Sequence, residues 1–421
     1  MKSILKKIIS SILIFESKIV LNKYKPTIIA VTGNVGKTST KDAIFSVLAD
    51  TDYVRKSQKS FNSDLGIPLT ILGCENGWHD PSLWIKNILH GLELIMFKSD
   101  YPKCLVLEIG ADHPGDIKSI SKWLRVDIVV ITKIGEVPVH IEAFSSVAEL
   151  IKEKAYLIDS LKRDGTLILS VDDKEVGLLS NDVKQRCMSF GIKQMATVNA
   201  SDPSVMYDDN KIPIGMSFKL NVQGNSILIK LRNILGIQQI YPIIAAITVG
   251  IASNIAIDKM IDSLENHKTP KGRMNIISGI NGSIIIDDSY NSSPDALREG
   301  LNTLASLQVS GKRIAVLGDM LELGVYSRDE HKKAGIQAIQ SCDILITVGH
   351  RSRAMSDTAI NFDTASLAGE YVRGIVSAGD VVFIKGSQSI RMERVAKILL
   401  LEQDKASELL VRQEPEWLAK R

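Results

Sequence analysis

A glycine-rich segment at residues 31–39, which reads VTGNVGKTS, combines residue types that could bind phosphate. In a turn of this kind backbone N–H groups can surround phosphate oxygens, the lysine adds a positive charge, and the hydroxyl after it can hold Mg²⁺. The spacing is shorter than G-x-x-x-x-G-K-[ST], because a valine stands where the first glycine would be. An apolar run precedes the segment, and a helix-like stretch over residues 40–48 follows it. The predicted nucleotide-binding residues are Thr32, Gly33, Asn34, Val35, Gly36, Lys37, Thr38 and Ser39.

Other side chains could act beside such a loop. Glu108 ends an apolar run, and a carboxylate at a strand end near bound phosphate can hold Mg²⁺. His140 lies in the segment PVHIE, although a single histidine is more often a surface or packing residue. Lys152 and Lys154, taken alone, are typical of the solvated face of a helix.

The second half of the chain has polar residues at three predicted strand ends, at 286–291, 318–320 and 386–391. The last of them could hold a carboxylate through backbone amides, Ser387 and Arg391. Each could instead be an ordinary loop in which Asp or Ser caps a helix. The recurrence of polar strand ends favours a binding surface.

The elements that position these residues alternate between strands and helices, which predicts mostly parallel sheets with helices on both faces. Ligands of such sheets bind at the carboxyl ends of the strands. Short strands with turns are predicted for 196–232, and a boundary rich in Pro and Gly for 267–272. The predicted strands are 27–32, 104–109, 128–132, 166–170, 283–287, 313–317, 344–348 and 381–385, and the predicted helices include 146–161, 239–252 and 294–307.

Size and composition are those of an ordinary globular protein. The chain has 421 residues, enough for two or three domains, with 45% hydrophobic and 24% charged residues as in ordinary globular proteins. A net charge of +3 is too small to predict nucleic-acid binding by itself. The four cysteines show no metal spacing and suit a reducing cytoplasm, and no apolar run reaches membrane-spanning length.

Residues 1–25 predict an amphipathic helix, because apolar residues recur at helical spacing among lysines. The helix could pack on the domain that follows it. It could instead lie on an anionic membrane surface, so peripheral membrane contact remains an alternative. Lysines interrupt its start and a small-residue cleavage site is lacking, which argues against a signal peptide.

Taken together, the motifs resemble those of the ATP-dependent Mur ligases, and most closely the branch that adds D-alanyl-D-alanine to a UDP-N-acetylmuramoyl tripeptide. The resemblance implies an α/β fold, with a P-loop-type, mostly parallel ATP domain followed by a second, Rossmann-like α/β domain. We predict a helix at 1–25, the ATP domain at 26–268 and the C-terminal domain at 269–421, without the usual N-terminal UDP-sugar domain. The matching segments, in family order, are 32–38, 61–70, 107–117, 140–144, 287–294, 318–324 and 385–393.

The resemblance also implies roles for single residues. Thr38 and Glu108 would hold one Mg²⁺ and His140 would help to hold a second. Lys154, with Lys152 as the alternative register, would be carbamoylated and supply a carboxylate near that metal. The catalytic residues would be Lys37, His140 and Lys154; Asn291 would lie near adenine and Asp319 near ribose; Arg273, Ser387 and Arg391 would bind substrate.

We therefore predict an ADP-forming ligase of peptidoglycan synthesis, which joins D-Ala-D-Ala to a muramoyl-tripeptide-type acceptor through an acyl phosphate. The acceptor could be a different glycopeptide or a lipid-linked one. The alternatives are a ligase for a folate-type or polyglutamate-type substrate and a non-catalytic nucleotide-binding scaffold. We expect a cytoplasmic monomer.

Overall fold

The computed structural model describes residues 3–58, 61–78, 80–181, 183–265 and 267–419, and for residues 3 and 4 it describes the backbone alone. Two compact units make up this part of the chain. Unit 1 comprises residues 1–134, 143–199 and 241–267, and unit 2 comprises 135–142, 200–240 and 268–421.

Helices and strands alternate along much of the chain, although not throughout. The helices are α1 Ser3–Tyr24, α2 Lys37–Ala49, α3 Gly66–Leu72, α4 Pro81–Met96, α5 Asp116–Ser121, α6 Val147–Ala155, α7 Lys174–Leu178, α8 Ile240–Ala252, α9 Ile257–Glu265, α10 Pro294–Ser306, α11 Ser327–Ser341, α12 Ala365–Ile375, α13 Glu393–Leu399, α14 Ala406–Leu409 and α15 Pro415–Leu418. The strands are β1 Thr27–Thr32, β2 Val54–Lys56, β3 Cys104–Glu108, β4 Val126–Ile131, β5 Leu161–Ser170, β6 Arg186–Gly191, β7 Val198–Tyr207, β8 Pro213–Val222, β9 Asn225–Arg232, β10 Asn275–Ser278, β11 Ile284–Asp288, β12 Arg313–Gly318, β13 Ile344–Val348, β14 Ile360–Phe362 and β15 Val381–Lys385.

Unit 1 is built on a parallel sheet in the order β2-β3-β1-β4-β5-β6, and the first two residues of β7 pair in parallel with β6. Strands β1, β3 and β4 are apolar and almost wholly buried, as expected for central strands covered on both faces. The carboxyl ends of β1 and β3 therefore meet at one edge of the sheet, where the glycine-rich loop and Glu108 emerge.

Helix α1 packs within unit 1. Ile9, Leu13 and Val20 lie in one apolar core with side chains of α3 and α4, including Leu69 and Trp84. The helix predicted for residues 1–25 is present over Ser3–Tyr24, and residues 1 and 2 lie outside the described part. Among the described helices, none combines the length and the apolar character needed to cross a bilayer.

Unit 2 contains a six-stranded sheet in the order β10-β11-β15-β12-β13-β14, in which only β10 runs antiparallel to its neighbour. Strands β8 and β9 form an antiparallel hairpin whose two-residue turn is Gln223 and Gly224, with φ values of 50° and 79°. Two successive positive φ values match the tight hairpin turn that favours glycine. Helix α10 begins at Pro294 after Ser293, whose hydroxyl accepts a hydrogen bond from the Ala296 N–H.

The predicted fold class, α/β with mostly parallel sheets in both parts, is confirmed. Several predicted strands agree with the structure within a residue or two, whereas β5 begins five residues earlier than predicted. The predicted domain bounds stay a prediction. In the division into two compact units, residues 200–240 belong to unit 2 and residues 241–267 belong to unit 1.

The packing of α1 gives a first testable prediction. Leu13→Ala removes a fully buried side chain, so it should destabilise unit 1 by about 2–5 kcal/mol through lost burial and a cavity. Phe15→Ala is the matched control, since Phe15 is 64% exposed and its loss should change stability by less than about 0.5 kcal/mol. Thermal unfolding followed by tryptophan fluorescence checks both; equal midpoints for the two variants would show that α1 does not contribute to the core.

Candidate functional site

The glycine-rich loop lies between β1 and α2, and contacts with the β4 side of the sheet fix its backbone. The N–H groups of Asn34 and Val35 both donate to the Lys133 carbonyl, at 2.9 and 3.0 Å. Gly33 has a φ of 137°, and a Cβ there would lie 2.0 Å from the Thr132 hydroxyl oxygen. Gly36 has a φ of 88° at the start of α2. The loop therefore needs glycine at both positions, because a side chain would clash at the first and strain the backbone at both.

The end of β3 meets the start of α2 through side chains. The Thr38 hydroxyl donates to Glu108 Oε1 at 3.1 Å, and Lys41 Nζ lies 3.6 Å from Glu108 Oε2. Glu108 is 9% exposed and Lys41 is 2% exposed. The two predicted ligands of the first Mg²⁺ thus come together, and Lys41 is a nearby cation that the sequence analysis did not identify.

Lys154 on α6 is the most deeply buried cation of this region, at 1% exposed. Burial above all, and the positive charge of Lys37 next, lower the pKa of Lys154 from 10.5 to about 7, against the opposing effects of Asp112 and Glu153. Lys152, the alternative register, is exposed. Burial and the proximity of Lys37 therefore favour Lys154 as the lysine that carries chemistry.

Glu153, next to Lys154, fixes the segment after β3. Its Oε1 accepts from the N–H groups of Ile117 and Lys118, at 2.7 and 3.0 Å, and its Oε2 accepts from the Gly115 N–H at 2.9 Å. A carboxylate at the N-terminus of α5 satisfies N–H groups that have no partner within the helix. Glu153 therefore ties α6, and with it Lys154, to the loop that follows Glu108.

In unit 2, His140 pairs with Glu322. His140 Nδ1 lies 3.0 Å from Glu322 Oε2, both residues have positive φ values, and both side chains are partly exposed. The hydrogen bond from His140 is the main cause that lowers the pKa of Glu322. An imidazole beside a carboxylate could hold a divalent cation, but the described residues contain no group of three or more His, Cys, Asp or Glu side chains placed to bind one.

The loop after β12 is held by its neighbours in unit 2. Asp319 is 5% exposed, and its Oδ1 accepts from the Ser352 N–H at 2.7 Å. The Ser387 hydroxyl accepts from the Leu321 N–H at 2.8 Å, and the Ser387 N–H donates to the Asp319 carbonyl at 2.9 Å. Two predicted site residues, Asp319 and Ser387, are therefore adjacent.

His331 is a buried residue that the sequence analysis missed. Its Nε2 accepts from the Met320 N–H at 3.0 Å, so the ring proton lies on Nδ1, which donates to the Ser327 carbonyl at 2.6 Å. Burial lowers the pKa of His331, which keeps it neutral. His331 thereby holds the residue that follows Asp319; a lone histidine within a helix gave no sequence signal for that contact.

At the ends of β11 and β15, Lys385 Nζ donates to Asp288 Oδ2 and, at 3.0 Å, to the Asn291 carbonyl. Lys385 is 1% exposed and Asp288 5% exposed, so this ion pair is buried. Arg273 lies with its guanidinium 4.3 Å from the Tyr290 ring centroid, and its Nε is buried without a hydrogen-bond partner among the described residues. These contacts place Arg273 and Asn291 in one polar cluster.

Arg391 belongs to a different cluster. Its Nε donates to Glu393 Oε1, and its Nη1 donates to the Trp417 carbonyl at 2.9 Å. Glu393 is fully buried and also pairs with Arg412, whose guanidinium donates to the carbonyls of Ser289 and Tyr290. The substrate-binding role predicted for Arg391 stays a prediction, and in this structure its guanidinium contacts protein groups.

Two sequence families match the chain. The family described as the Mur ligase middle domain matches residues 86–250, and the family described as the Mur ligase, glutamate ligase domain, matches residues 272–388. The chain is 28% identical over 394 residues to the UDP-N-acetylmuramoyl-tripeptide–D-alanyl-D-alanine ligase of Bacillus subtilis (strain 168), covering 91% of this chain and 78% of that protein. It is 27% identical over 406 residues to the ligase of the same name from Mycobacterium leprae (strain TN), covering 89% of this chain and 73% of that protein.

Among solved structures, the chain is similar to the MurF ligase from Thermotoga maritima in complex with ADP. The TM-score is 0.78 at 24% sequence identity, over 95% of this chain and 84% of that one. At this level of identity the likeness shows a shared fold.

The burial of Lys154 gives a prediction on stability. The folded protein binds the Lys154 proton less tightly than the unfolded chain does, so the wild type should gain stability relative to Lys154→Met as the pH rises from about 7 to 10.5. The gain should be on the order of 1 kcal/mol per pH unit in that window. Urea unfolding of both proteins across the window measures it.

Lys152→Met is the matched control, because Lys152 is exposed and its removal should leave the pH dependence of unfolding unchanged. If the free energy of unfolding depends on pH in the same way for the wild type and Lys154→Met, then Lys154 titrates as a solvated lysine.

Proposed function

The chain belongs to the Mur ligase family, and we propose that it is an ATP-dependent ligase of peptidoglycan synthesis that adds D-alanyl-D-alanine to a muramoyl-tripeptide-type acceptor. The observation that carries the proposal is the contact of Thr38 with Glu108, together with the burial of Lys154 near Lys37. The names of the curated relatives supply the substrates.

The reaction has two steps that balance with these substrates. An acceptor carboxylate oxygen attacks the γ-phosphorus of ATP, the bond to the β–γ bridging oxygen breaks, and ADP leaves. The D-Ala-D-Ala amine then attacks the acyl carbon, inorganic phosphate leaves, and the amine proton passes to solvent. Lys37 and the backbone N–H groups of the loop would neutralise charge on the transferred phosphoryl group.

The side chains where the end of β3 meets the start of α2 fit Mg²⁺. Thr38 and Glu108 offer oxygen donors 3.1 Å apart, and Mg²⁺ binds through one or two protein oxygens together with waters and phosphate oxygens. The metal would supply electrostatic stabilisation of the phosphate oxygens. Thr38 and Glu108 would hold one ion, and His140 would help to hold a second.

Lys154 is suited to carbamoylation. An amine with a pKa of about 7 is largely neutral near neutral pH, and a neutral amine nitrogen can attack the carbon of CO₂. A nitrogen–carbon bond forms, one proton leaves, and the side chain ends in a carboxylate. The nearby Lys37 would stabilise that negative charge, whereas it disfavours a protonated Lys154.

Roles for unit 2 follow from the family resemblance. Asn291 would contact adenine and Asp319 ribose, while Arg273, Ser387 and Arg391 would bind substrate. The backbone contacts of Ser387 with the loop after β12 support a positioning role for it. These assignments remain part of the proposal.

Two other functions are less well supported. A ligase for folate-type or polyglutamate-type substrates would share the nucleotide loop, but the curated relatives named above act on D-alanyl-D-alanine. A non-catalytic scaffold would not need an unusual buried lysine next to the phosphate-binding lysine. We further infer that the enzyme acts as a cytoplasmic monomer on small-molecule substrates, since ATP and UDP-linked precursors are found in the cytoplasm.

ADP release tests the function. Purified protein should release ADP only when a muramoyl tripeptide and D-Ala-D-Ala are both present, and Lys37→Ala should lower the rate by at least about a hundredfold, because it removes a charge on the phosphates. Acceptors with and without the UDP group, and glutamate as the competing amine, define specificity. ADP release that needs glutamate would support the folate-type alternative, and unchanged phenotypes of Lys37→Ala in cells would support the scaffold.

Carbamoylation has its own test. Lys154→Ala should lose activity that added acetate or another short carboxylate partly restores, because the small acid can replace the carbamate. Lys152→Ala, the matched control, should stay active, since Lys152 is exposed. Loss in Lys152→Ala with rescue by acetate, and full activity of Lys154→Ala, would move the assignment to Lys152.

A further inference from the structure

Helix α4 has an exposed apolar stripe opposite its buried side. Ile85, Leu89, Leu92 and Met96 recur at helical spacing and are between 40% and 67% exposed. Phe97, directly after the helix, is 61% exposed. The buried residues Trp84, Asn87, Gly91 and Leu94 lie on the other side of the helix. This stripe is separate from the nucleotide loop and has no part in the proposed reaction.

Helix α1 has a second stripe. Leu5, Ile8 and Phe15 are each about half exposed or more, at 48%, 51% and 64%, while Leu13 and Val20 are buried. Because Phe15 is 64% exposed, its side chain contributes little to the core that α1 shares with α3 and α4. The helix therefore has two apolar sides, one against unit 1 and one towards solvent.

The two helices lie side by side and run in the same direction. Glu16 lies against Gly91, where an added Cβ would come within 2.2 Å of a carboxylate oxygen, and Lys23 Nζ donates to the carbonyls of Leu94 and Ile95 at 2.8 and 3.1 Å. Their buried sides share one apolar core. With that core on one side of the pair, the two stripes face away from it together and form what we call the α1–α4 surface.

Lysines outnumber carboxylates around this surface. Lys6, Lys7 and Lys18 on α1, and Lys86 and Lys98 in and after α4, are exposed. Within α1 the one carboxylate, Glu16, is withdrawn into the interior, where it is 2% exposed. The exposed carboxylates nearby are Asp80, at the start of α4, Glu93, Asp100 and Asp64, which lies near Lys6. An apolar face bordered by lysines is complementary to an anionic lipid surface.

We propose that the α1–α4 surface binds an anionic membrane surface peripherally, with Phe15, Leu89, Met96 and Phe97 in the headgroup region and the lysines on lipid phosphates. A second copy of the chain is the competing occupant. Two-fold pairing through this face would bring the same lysines together, and that repulsion disfavours it.

Vesicle flotation of the full chain tests the proposal. The protein should float with vesicles of phosphatidylcholine mixed with phosphatidylglycerol, less with phosphatidylcholine alone, and less at high salt. Leu89→Ser with Met96→Ser should lower the partition coefficient at least about tenfold, because two apolar side chains no longer insert. Lys7→Glu with Lys18→Glu should remove the preference for anionic vesicles.

The matched control is Ile336→Ser with Ile339→Ser on α11, which removes two side chains that are 64% and 54% exposed elsewhere on the protein and should leave flotation unchanged. Circular dichroism and ADP release should match the wild type for all three variants. Three results would overturn the proposal: a wild type that floats with neither vesicle type, flotation that Leu89→Ser with Met96→Ser leaves unchanged, or a wild-type dimer in sedimentation that this variant converts to monomer.

Discussion

The hydrogen bond between the Thr38 hydroxyl and Glu108 joins the two elements on which the proposed nucleotide site depends. Thr38 is the second residue of α2, which follows β1 after the glycine-rich loop, and Glu108 ends β3, which pairs with β1 in parallel. Because both strands are buried and their register is fixed by the sheet, their carboxyl ends cannot shift independently. The loop backbone is held from the other side by the Lys133 carbonyl and by the close approach of Gly33 to Thr132.

Burial of charge is a second constraint on unit 1. A buried lysine with a positive neighbour is costly in its protonated form, so the site favours a neutral or modified amine at Lys154. Glu153 is buried as well, but three backbone N–H groups satisfy its oxygens. Glu153 and Lys154 are adjacent on α6 but differ in role. Backbone N–H groups satisfy the oxygens of Glu153, whereas Lys154 lies near a second lysine, Lys37.

Unit 2 uses buried ions mainly to fix loops. Lys385 pairs with Asp288 and holds the Asn291 carbonyl, while Glu393 holds two arginines, one of which donates to the Ser289 and Tyr290 carbonyls. Removing one partner of such a pair leaves an uncompensated buried charge, which makes these networks sensitive to substitution. The polar strand ends that the sequence analysis predicted as a binding surface are therefore also held in place by buried hydrogen bonds and ion pairs.

The sequence by itself determined the fold class, most of the strands and the glycine-rich turn between β1 and α2, because apolar runs and glycine positions are local signals. The nucleotide-binding role of that turn stays a prediction. It also indicated both Lys152 and Lys154, but side-chain burial, which separates them, arises from the packing of α6 and cannot be seen in a local pattern. Tertiary structure likewise brought Thr38 to Glu108, 70 residues apart, and His140 to Glu322. Only the tertiary structure showed the contacts of Lys41, His331 and Arg412. Only the tertiary structure separated the buried stripe of α1 from the exposed one, since apolar residues occur in both stripes.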